Sequence, residues 1–206
     1  MFYPKLAFTN LKKNGKVYIP YLLTCVLTVM MFYVMNAISR NIGLDQMQGA
    51  DTLRLVLRWA VTITGIFSVV FLFYTNSFLV KQRKKEFGLY QVLGMDKGNL
   101  TKMMAWESIL TTLISILLGL VLGVLLGKLM FLILLKMIHF KVPLKFAVEP
   151  AAMIGTIVLF LITFVVTFIF NLFQVQKANP IELLHGGSQG EKEPKVLTVN
   201  DVSAQD

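Results

Sequence analysis

The sequence contains little of the chemistry from which catalytic or metal centres are built. It has one cysteine and two histidines among its 206 residues. Cys25 falls inside an apolar run, so we predict a packing role for it and no disulfide framework, metal cluster or thiol pair. His139 and His185 lie far apart in the sequence, on opposite sides of the membrane predicted below, and are not expected to share a metal. No metal or cofactor site is therefore predicted.

Acidic residues are also scarce, with 11 Asp and Glu against 20 Lys and Arg. Glu86 and Glu107 have no nucleophile or second base beside them in the sequence, so we expect no catalytic residues and no enzyme. The run from Gly123 to Lys128 fails as a phosphate-binding loop, because its glycines are too closely spaced and Leu129 replaces the required hydroxyl residue. The positive charge does not predict nucleic-acid binding, because the cations stand where apolar runs end and suit lipid head groups instead.

Apolar residues dominate what is present, at 56% of the chain against about 45 to 50% in ordinary soluble domains. They are gathered into four long runs, which predict an all-α membrane protein with four transmembrane helices and short cytoplasmic amphipathic helices. The first run is too long for a signal peptide; at 1.5 Å per residue it reaches about 33 Å, enough to cross the ~30 Å hydrocarbon core. The predicted spans are residues 17–38, 59–80, 109–135 and 151–173.

The distribution of Lys and Arg predicts the orientation. The N-terminal segment 1–16, the segment 81–108 and the residues after the fourth span carry more cations than the two remaining links. Because cytoplasmic loops of membrane proteins are enriched in Lys and Arg, we expect a multi-pass protein of the cell membrane with both termini in the cytoplasm.

Residues 81–108 form the only long polar stretch between two strongly apolar ones, and we call them the coupling segment. The first half predicts a helix closed by Gly94, because glycine tolerates positive φ just past a helix end. The second half predicts an amphipathic helix with Leu100, Met103 and Met104 on its apolar side. The simplest interpretation is a solvated loop with two amphipathic turns. The arrangement favours instead a surface offered to a cytoplasmic partner.

Small residues recur every fourth position in the third span, a pattern typical of a close-packed face between membrane helices. We call them the glycine stripe: Thr111, Ser115, Gly119, Gly123 and Gly127. The sequence does not tell whether the helix that packs there belongs to this chain or to another. Lys128, which follows the stripe, is expected to reach the head groups along its own stem, and a role in sensing substrate is the alternative.

Both ends of the chain predict smaller elements. Residues 1–16 combine lysines with apolar side chains, which suits a helix lying in the membrane interface and in contact with lipids. Residues 179–185 begin with Asn179-Pro180-Ile181-Glu182, a typical helix start. Residues 186–206 have few apolar side chains and predict a disordered tail.

Three stretches resemble the FtsX-like ABC transporter permeases. They are Leu6-Ala7-Phe8-Thr9-Asn10-Leu11-Lys12-Lys13-Asn14, Arg83-Lys84-Lys85-Glu86-Phe87-Gly88-Leu89-Tyr90-Gln91-Val92-Leu93-Gly94-Met95 with the downstream Glu107, and Asn179-Pro180-Ile181-Glu182-Leu183-Leu184. The middle stretch is the specific one. The short link between the first two spans is similar to the bacitracin-export type, whose permeases have about ten spans. The chain therefore resembles the N-terminal four-span part of such a permease, a truncated product or one piece of a split one.

The resemblance implies a membrane subunit that couples ATP hydrolysis by a separate cytoplasmic ABC ATPase to the export or removal of peptide antibiotics such as bacitracin. It also implies the remaining permease spans or a sensor kinase as further partners. The ATPase contact is then expected at Glu86, Gly88, Leu93, Gly94, Met95, Leu100, Met103 and Met104, and helix packing at Ser115, Gly119, Gly123 and Gly127. A small adaptor or scaffold that recruits a cytoplasmic partner without transport is the alternative. A channel is less favoured, since no span has a polar stripe wide enough to line a pore.

Overall fold

The computed structural model describes residues 9–40, 50–138 and 149–177. In these ranges it contains four long helices and no strand: α1 (Gly15–Ser39), α2 (Ala50–Val92), α3 (Lys97–Ile138) and α4 (Pro150–Lys177). All four contain stretches long and apolar enough to cross a membrane. The prediction of an all-α protein with four membrane-spanning helices is confirmed.

Two of the helices are much longer than the spans predicted for them. With 43 and 42 residues, α2 and α3 are each about 63 to 65 Å long at 1.5 Å per residue, twice the ~30 Å hydrocarbon core. Neither contains a proline, so nothing in the backbone stops the helix where the side chains become polar. The coupling segment is therefore the end of α2, a short turn and the beginning of α3.

The turn between α2 and α3 is closed by hydrogen bonds at both helix ends. Gly94, with φ of 91°, donates to the carbonyl of Gln91 at 3.1 Å, and Met95 donates to that of Tyr90 at 2.9 Å. This pair of bonds is the Schellman motif that glycine favours. Asp96 then caps α3, since its carboxylate accepts the N–H of Gly98 at 3.1 Å.

Helix α1 is the centre of the bundle. It packs most extensively against α3, then α2, and also touches α4, whereas α2 and α3 have few contacts with each other. The main core therefore lies around α1, with its largest buried side chains at Tyr18, Tyr33 and Phe160. A second apolar cluster lies near the turn, where α2, α3 and the end of α4 meet.

The predicted elements at the chain ends are only partly covered by the described residues. Of the predicted interfacial helix, residues 9–13 are helical and Asn14 forms a turn before α1. Residues 1–8, the predicted helix 179–185 and the predicted tail 186–206 lie outside the described residues, so those predictions stay predictions.

Candidate functional site

A buried ion pair joins α2 to α3 below the turn. The Arg83 side chain on α2 donates to both carboxylate oxygens of Glu107 on α3, through Nη1 to Oε2 and through Nη2 to Oε1 at 3.3 Å. Arg83 is 3% exposed and Glu107 is 4% exposed. Because α2 and α3 have few other contacts, this pair is a main connection between them in the described part of the chain.

Residues from the beginning of the chain complete the pair. The Tyr18 hydroxyl on α1 donates to Glu107 Oε2 at 2.9 Å and accepts a hydrogen bond from Arg83 Nη1. The amide of Asn10 donates to Glu107 Oε1 at 3.2 Å. We call Asn10, Tyr18, Arg83 and Glu107 the ion-pair cluster; it connects α1, α2, α3 and the helical stretch before α1.

Arg83 has further partners on the side of the cluster nearer the turn. Its Nε donates to Glu86 Oε2 at 3.0 Å, and Asn14 donates to both oxygens of Glu86 at 2.9 and 3.0 Å. The guanidinium carbon lies 5.1 Å from the ring centre of Tyr18 and 4.9 Å from that of Phe87, within the range of cation–π attraction. Glu86 is about a third exposed, so its bonds are screened by solvent while those of Glu107 are not.

Helical spacing explains why these side chains meet. On α2, Val80, Arg83 and Phe87 are three and four residues apart and lie on one buried face. On α3, Leu100, Met103, Met104 and Glu107 follow the same spacing and form the opposing face. Each helix thus carries one charged side chain within an apolar stripe, and the two charges meet where the stripes face each other. A small cleft of about 40 Å³ borders the cluster and is also lined by the buried amides of Asn76 and Asn171.

The energetics of such a pair are asymmetric. Two buried charges that satisfy each other contribute little net stability, but removal of one leaves the other without compensation, at a cost of about 3 to 5 kcal/mol. Every carboxylate oxygen of Glu107 and every nitrogen of Arg83 has a partner here. The cluster can therefore hold three helices in one arrangement and resist intermediate ones.

The eight residues predicted to contact an ATPase fall into two groups. Leu93 and Gly94 are exposed at the turn, and Glu86 and Met95 are half-buried. The other four lie inside the bundle: Gly88, Leu100, Met103 and Met104. The last three pack against α2 and α4, with Leu100 and Met103 at 1% and 0% exposure, because the amphipathic face of α3 is covered by this chain's own helices. They support the turn from beneath instead of forming its surface.

The surface at the turn is apolar. Leu89 and Val92, in the last turn of α2, and Leu93, which follows it on the same side, are 52%, 62% and 75% exposed. We call these three residues the apolar tip. Helix α2 continues about 18 Å past residue 80, the end of its apolar run, so the apolar tip lies outside the hydrocarbon core. A contiguous group of exposed apolar side chains is typical of an interaction surface.

The glycine stripe packs on α1 of the same chain. A Cβ at Gly119 would lie 2.6 Å from Val29 Cβ, and one at Gly123 would lie 2.8 Å from Tyr33 Cδ1, so any larger residue requires the helices to move. Ser115 is fully buried in the same interface. The packing at Gly127 is less tight, since a Cβ there would lie 3.9 Å from Val34 Cγ2. Lys128 is exposed on the other side of α3.

Five residues of the site were not singled out as contacts from the sequence: Asn10, Asn14, Tyr18, Arg83 and Glu107. A signal existed for four of them, because Asn10 and Asn14 belong to the first stretch that resembles the permeases, and Arg83 with the downstream Glu107 belongs to the second. The structure brings these two stretches together through Glu86 and Glu107. Tyr18 carried no comparable signal, because an aromatic residue at the start of an apolar run is ordinary.

The sequence matches the family model described as FtsX-like permease C-terminal over residues 59–180. It is 35% identical over 110 residues to an uncharacterized ABC transporter permease, YvcS, of Bacillus subtilis; the match covers 52% of this chain and 17% of that protein. It is 28% identical over 105 residues to a bacitracin export permease protein, BceB, of Halalkalibacterium halodurans, covering 51% of this chain and 16% of the relative. The matched stretches make up less than a fifth of each relative's length.

Proposed function

The chain belongs to the FtsX-like permease family, and from this premise we propose that it is a membrane permease part of an ABC transporter that transmits ATP hydrolysis by a separate cytoplasmic ATPase to its membrane helices. Family membership makes it a multi-pass membrane protein of transport type, in agreement with its four apolar helices. In this proposal the chain itself carries no chemical step. The observation that carries the proposal is the connection between the apolar tip and the ion-pair cluster.

The apolar tip supplies the contact with the ATPase. Leu89, Val92 and Leu93 project beyond the membrane on a helix that has no break between its span and its end. Such a helix end fits a groove on a partner, because its i, i+3 and i+4 positions present one apolar face. Glu86, Gly94 and Met95, also predicted as contacts, lie next to this face and are at least partly accessible.

The ion-pair cluster transmits movement of the tip. A force on the turn acts on α2 and α3 together, and the Arg83 and Glu107 side chains are fixed to each other and to Tyr18 of α1. Because buried, fully bonded charges tolerate only discrete arrangements, a shift of the turn moves α1 as a body instead of dissipating in side-chain adjustments. Helix α1 is the centre of the bundle, so its movement reaches α2, α3 and α4.

The substrate class is inferred from relatives. Two of them are named as bacitracin export permeases, at 28% and 23% identity. We propose that this chain participates in the export or removal of peptide antibiotics of that kind. Because the matches cover only 16% of those proteins, the substrate proposal rests on the shared family and on no contact in this chain.

The proposal places the turn and both chain termini in the cytoplasm. Single cysteines test the placement, because the native Cys25 is buried and does not contribute background labelling. Leu93→Cys should be protected from an impermeant thiol reagent in intact cells, whereas Arg40→Cys, at the other end of the bundle, should react. Labelling of Leu93→Cys but not of Arg40→Cys would reverse the orientation.

Co-purification of a co-expressed ABC ATPase tests the contact. Leu93→Asp places a charge in the proposed interface, where an unpaired buried charge is strongly unfavourable, so the amount of ATPase recovered should fall at least tenfold. Gln82→Asp is the matched control: it adds the same charge to an exposed position on the same helix, outside the apolar tip, and should keep the partner. Equal recovery with both variants would show that the tip is not the contact.

The geometry of the turn is tested at one position. Gly94→Val disfavours the φ of 91° and should misdirect α3 relative to α2, although a Cβ there meets no atom within 4 Å. Gly94→Asn is the control, since asparagine tolerates this region better. ATPase recovery should be lower for Gly94→Val than for Gly94→Asn. If both variants recover equal amounts, the contact does not depend on the conformation of this turn.

A further inference from the structure

A second polar region lies at the end of the bundle opposite the ion-pair cluster. An open cleft of about 540 Å³ is formed by the end of α1 and the beginnings of α2 and α4. Among the described residues, its charged lining residues are Arg40, Arg54, Arg58 and Glu149. We call this region the arginine cleft.

The cleft lies at the level of the lipid head groups. Arg58 immediately precedes the apolar run 59–80, and Arg40 follows the run 17–38 by two residues. Both therefore stand where the hydrocarbon core ends and phosphate groups begin. Arg40 and Arg58 are exposed, and Arg54 is half-buried.

One of the arginines is positioned by a buried amide. Asn36, which is 4% exposed, accepts a hydrogen bond from Arg40 Nε at 2.9 Å and donates from Nδ2 to the carbonyl of Ala152 at 3.4 Å. The amide thereby connects Arg40 to the first turn of α4. The bond uses only Nε, so among the described residues the two terminal nitrogens of Arg40 keep four N–H groups in the planar arrangement that suits phosphate oxygens.

We propose that the arginine cleft binds a phosphate anion, carried by the head group of an anionic lipid at this membrane surface. The exposed guanidinium groups of Arg40 and Arg58 favour an anionic over a zwitterionic head group and provide paired donors for phosphate oxygens, and the volume of the cleft admits a head group. This site is separate from the apolar tip and the ion-pair cluster, and the proposal does not depend on the proposed contact with an ATPase. A soluble phosphate has the same chemistry and is distinguished by the experiment.

Trp59 follows Arg58 in α2 and is one of two tryptophans in the chain, so its emission reports on the surroundings of Arg58. In the variant Trp106→Phe it is the only one. Detergent-solubilised protein is titrated with short-chain phosphatidylglycerol, short-chain phosphatidylcholine and sodium phosphate while the emission of Trp59 is followed. Phosphatidylglycerol should change the emission saturably and phosphatidylcholine should not. High salt should weaken the binding, since exposed charges are screened.

Two sets of variants decide whether the arginines are responsible. Arg40→Gln and Arg58→Gln should each weaken phosphatidylglycerol binding about tenfold, the typical value of a charge-assisted hydrogen bond. Both residues are exposed, but Arg40→Gln also removes the hydrogen bond to the buried Asn36, so Arg58→Gln is the cleaner of the two variants. The matched control is Lys128→Gln with Lys136→Gln, which removes two exposed cations of α3 outside the cleft and should change binding less than twofold.

Each outcome has one meaning. Saturable binding of phosphatidylglycerol that the arginine variants lose and the lysine variants keep supports the lipid head group. If sodium phosphate binds as tightly and depends on the same arginines, the phosphate site is supported but its lipid source is rejected. No saturable binding, or equal losses in the arginine and lysine variants, overturns the site, because the attraction is then only general charge.

Discussion

The two ends of the helix bundle use arginine in opposite ways. At the turn end, Arg83 is 3% exposed and donates to Glu107, Glu86 and Tyr18. At the other end, Arg40 and Arg58 are exposed at an open cleft. A compensated buried charge has no capacity left for a ligand and acts on the relative positions of helices. Accessible cations can bind a ligand and do not fix the positions of helices. The turn end is therefore suited to transmitting movement and the opposite end to binding.

The largest expected effect comes from breaking the compensated end. Arg83→Met should leave Glu107 buried without its cation and destabilise the fold by about 3 to 5 kcal/mol. Arg83→Met combined with Glu107→Met should recover most of that loss, because the buried charges are then both gone. Thermal unfolding in detergent or nanodiscs measures the loss of stability in the single and the double variants. Strictly additive losses would show that the two residues do not act as a pair.

The corresponding change at the open end should have almost no effect on stability. Arg58→Gln removes an exposed cation, whose contribution is about 0 to 1 kcal/mol. The comparison of Arg83→Met with Arg58→Gln in the same unfolding experiment therefore separates the two uses of arginine. A loss of several kcal/mol for Arg58→Gln would mean that the arginine cleft is also part of the folded core.

Between these ends of the bundle, the glycine stripe packs α3 against α1. Alanine substitutions at Gly119 and Gly127 are expected to change the stability of the fold by different amounts. Gly119→Ala should cost about 1 to 3 kcal/mol, because the new methyl group would overlap Val29. Gly127→Ala should be nearly neutral, since its Cβ would be 3.9 Å from the nearest atom outside its own turn of helix. Similar unfolding temperatures for both variants would contradict the close contact at Gly119.

The smallest expected effect is at the edge of the ion-pair cluster. Asn14→Ala removes the two hydrogen bonds to Glu86, but Glu86 is about a third exposed and water can replace them. We expect a loss of about 0.5 to 1.5 kcal/mol, well below that of Arg83→Met. A loss of stability equal to that of Arg83→Met would show that Glu86 is as important to the cluster as Glu107.

The sequence predicted the helices better than the contacts between them. Apolar runs predicted all four spans, and Gly94 predicted the end of α2, because both depend on local properties of the chain. The partner of the apolar face at Leu100, Met103 and Met104 was not predictable in the same way. Amphipathic spacing shows that a face must be covered but not by what, and here α2 and α4 cover it.

The ion-pair cluster was missed for a related reason. Arg83 is one of four cations between residues 81 and 85, and nothing local distinguishes it from its exposed neighbours Lys81 and Lys85. Its burial follows from the packing of α2 against α1, which places position 83 on the inner face with Val80 and Phe87. Glu107 was visible as an acid at the start of a span, yet its cation, Arg83, comes 24 residues earlier in the sequence, across the turn.

The transmission of movement by the ion-pair cluster is tested most directly at Trp106, which precedes Glu107 and is 40% exposed. With Trp59→Phe it becomes the only tryptophan, and its emission is followed when ATP is added to the chain in complex with its ATPase. We predict a change on ATP addition that Arg83→Met/Glu107→Met abolishes while the ATPase remains bound. The same change in the double variant, with the ATPase bound, would contradict the claim that the ion-pair cluster transmits movement from the turn to the membrane helices.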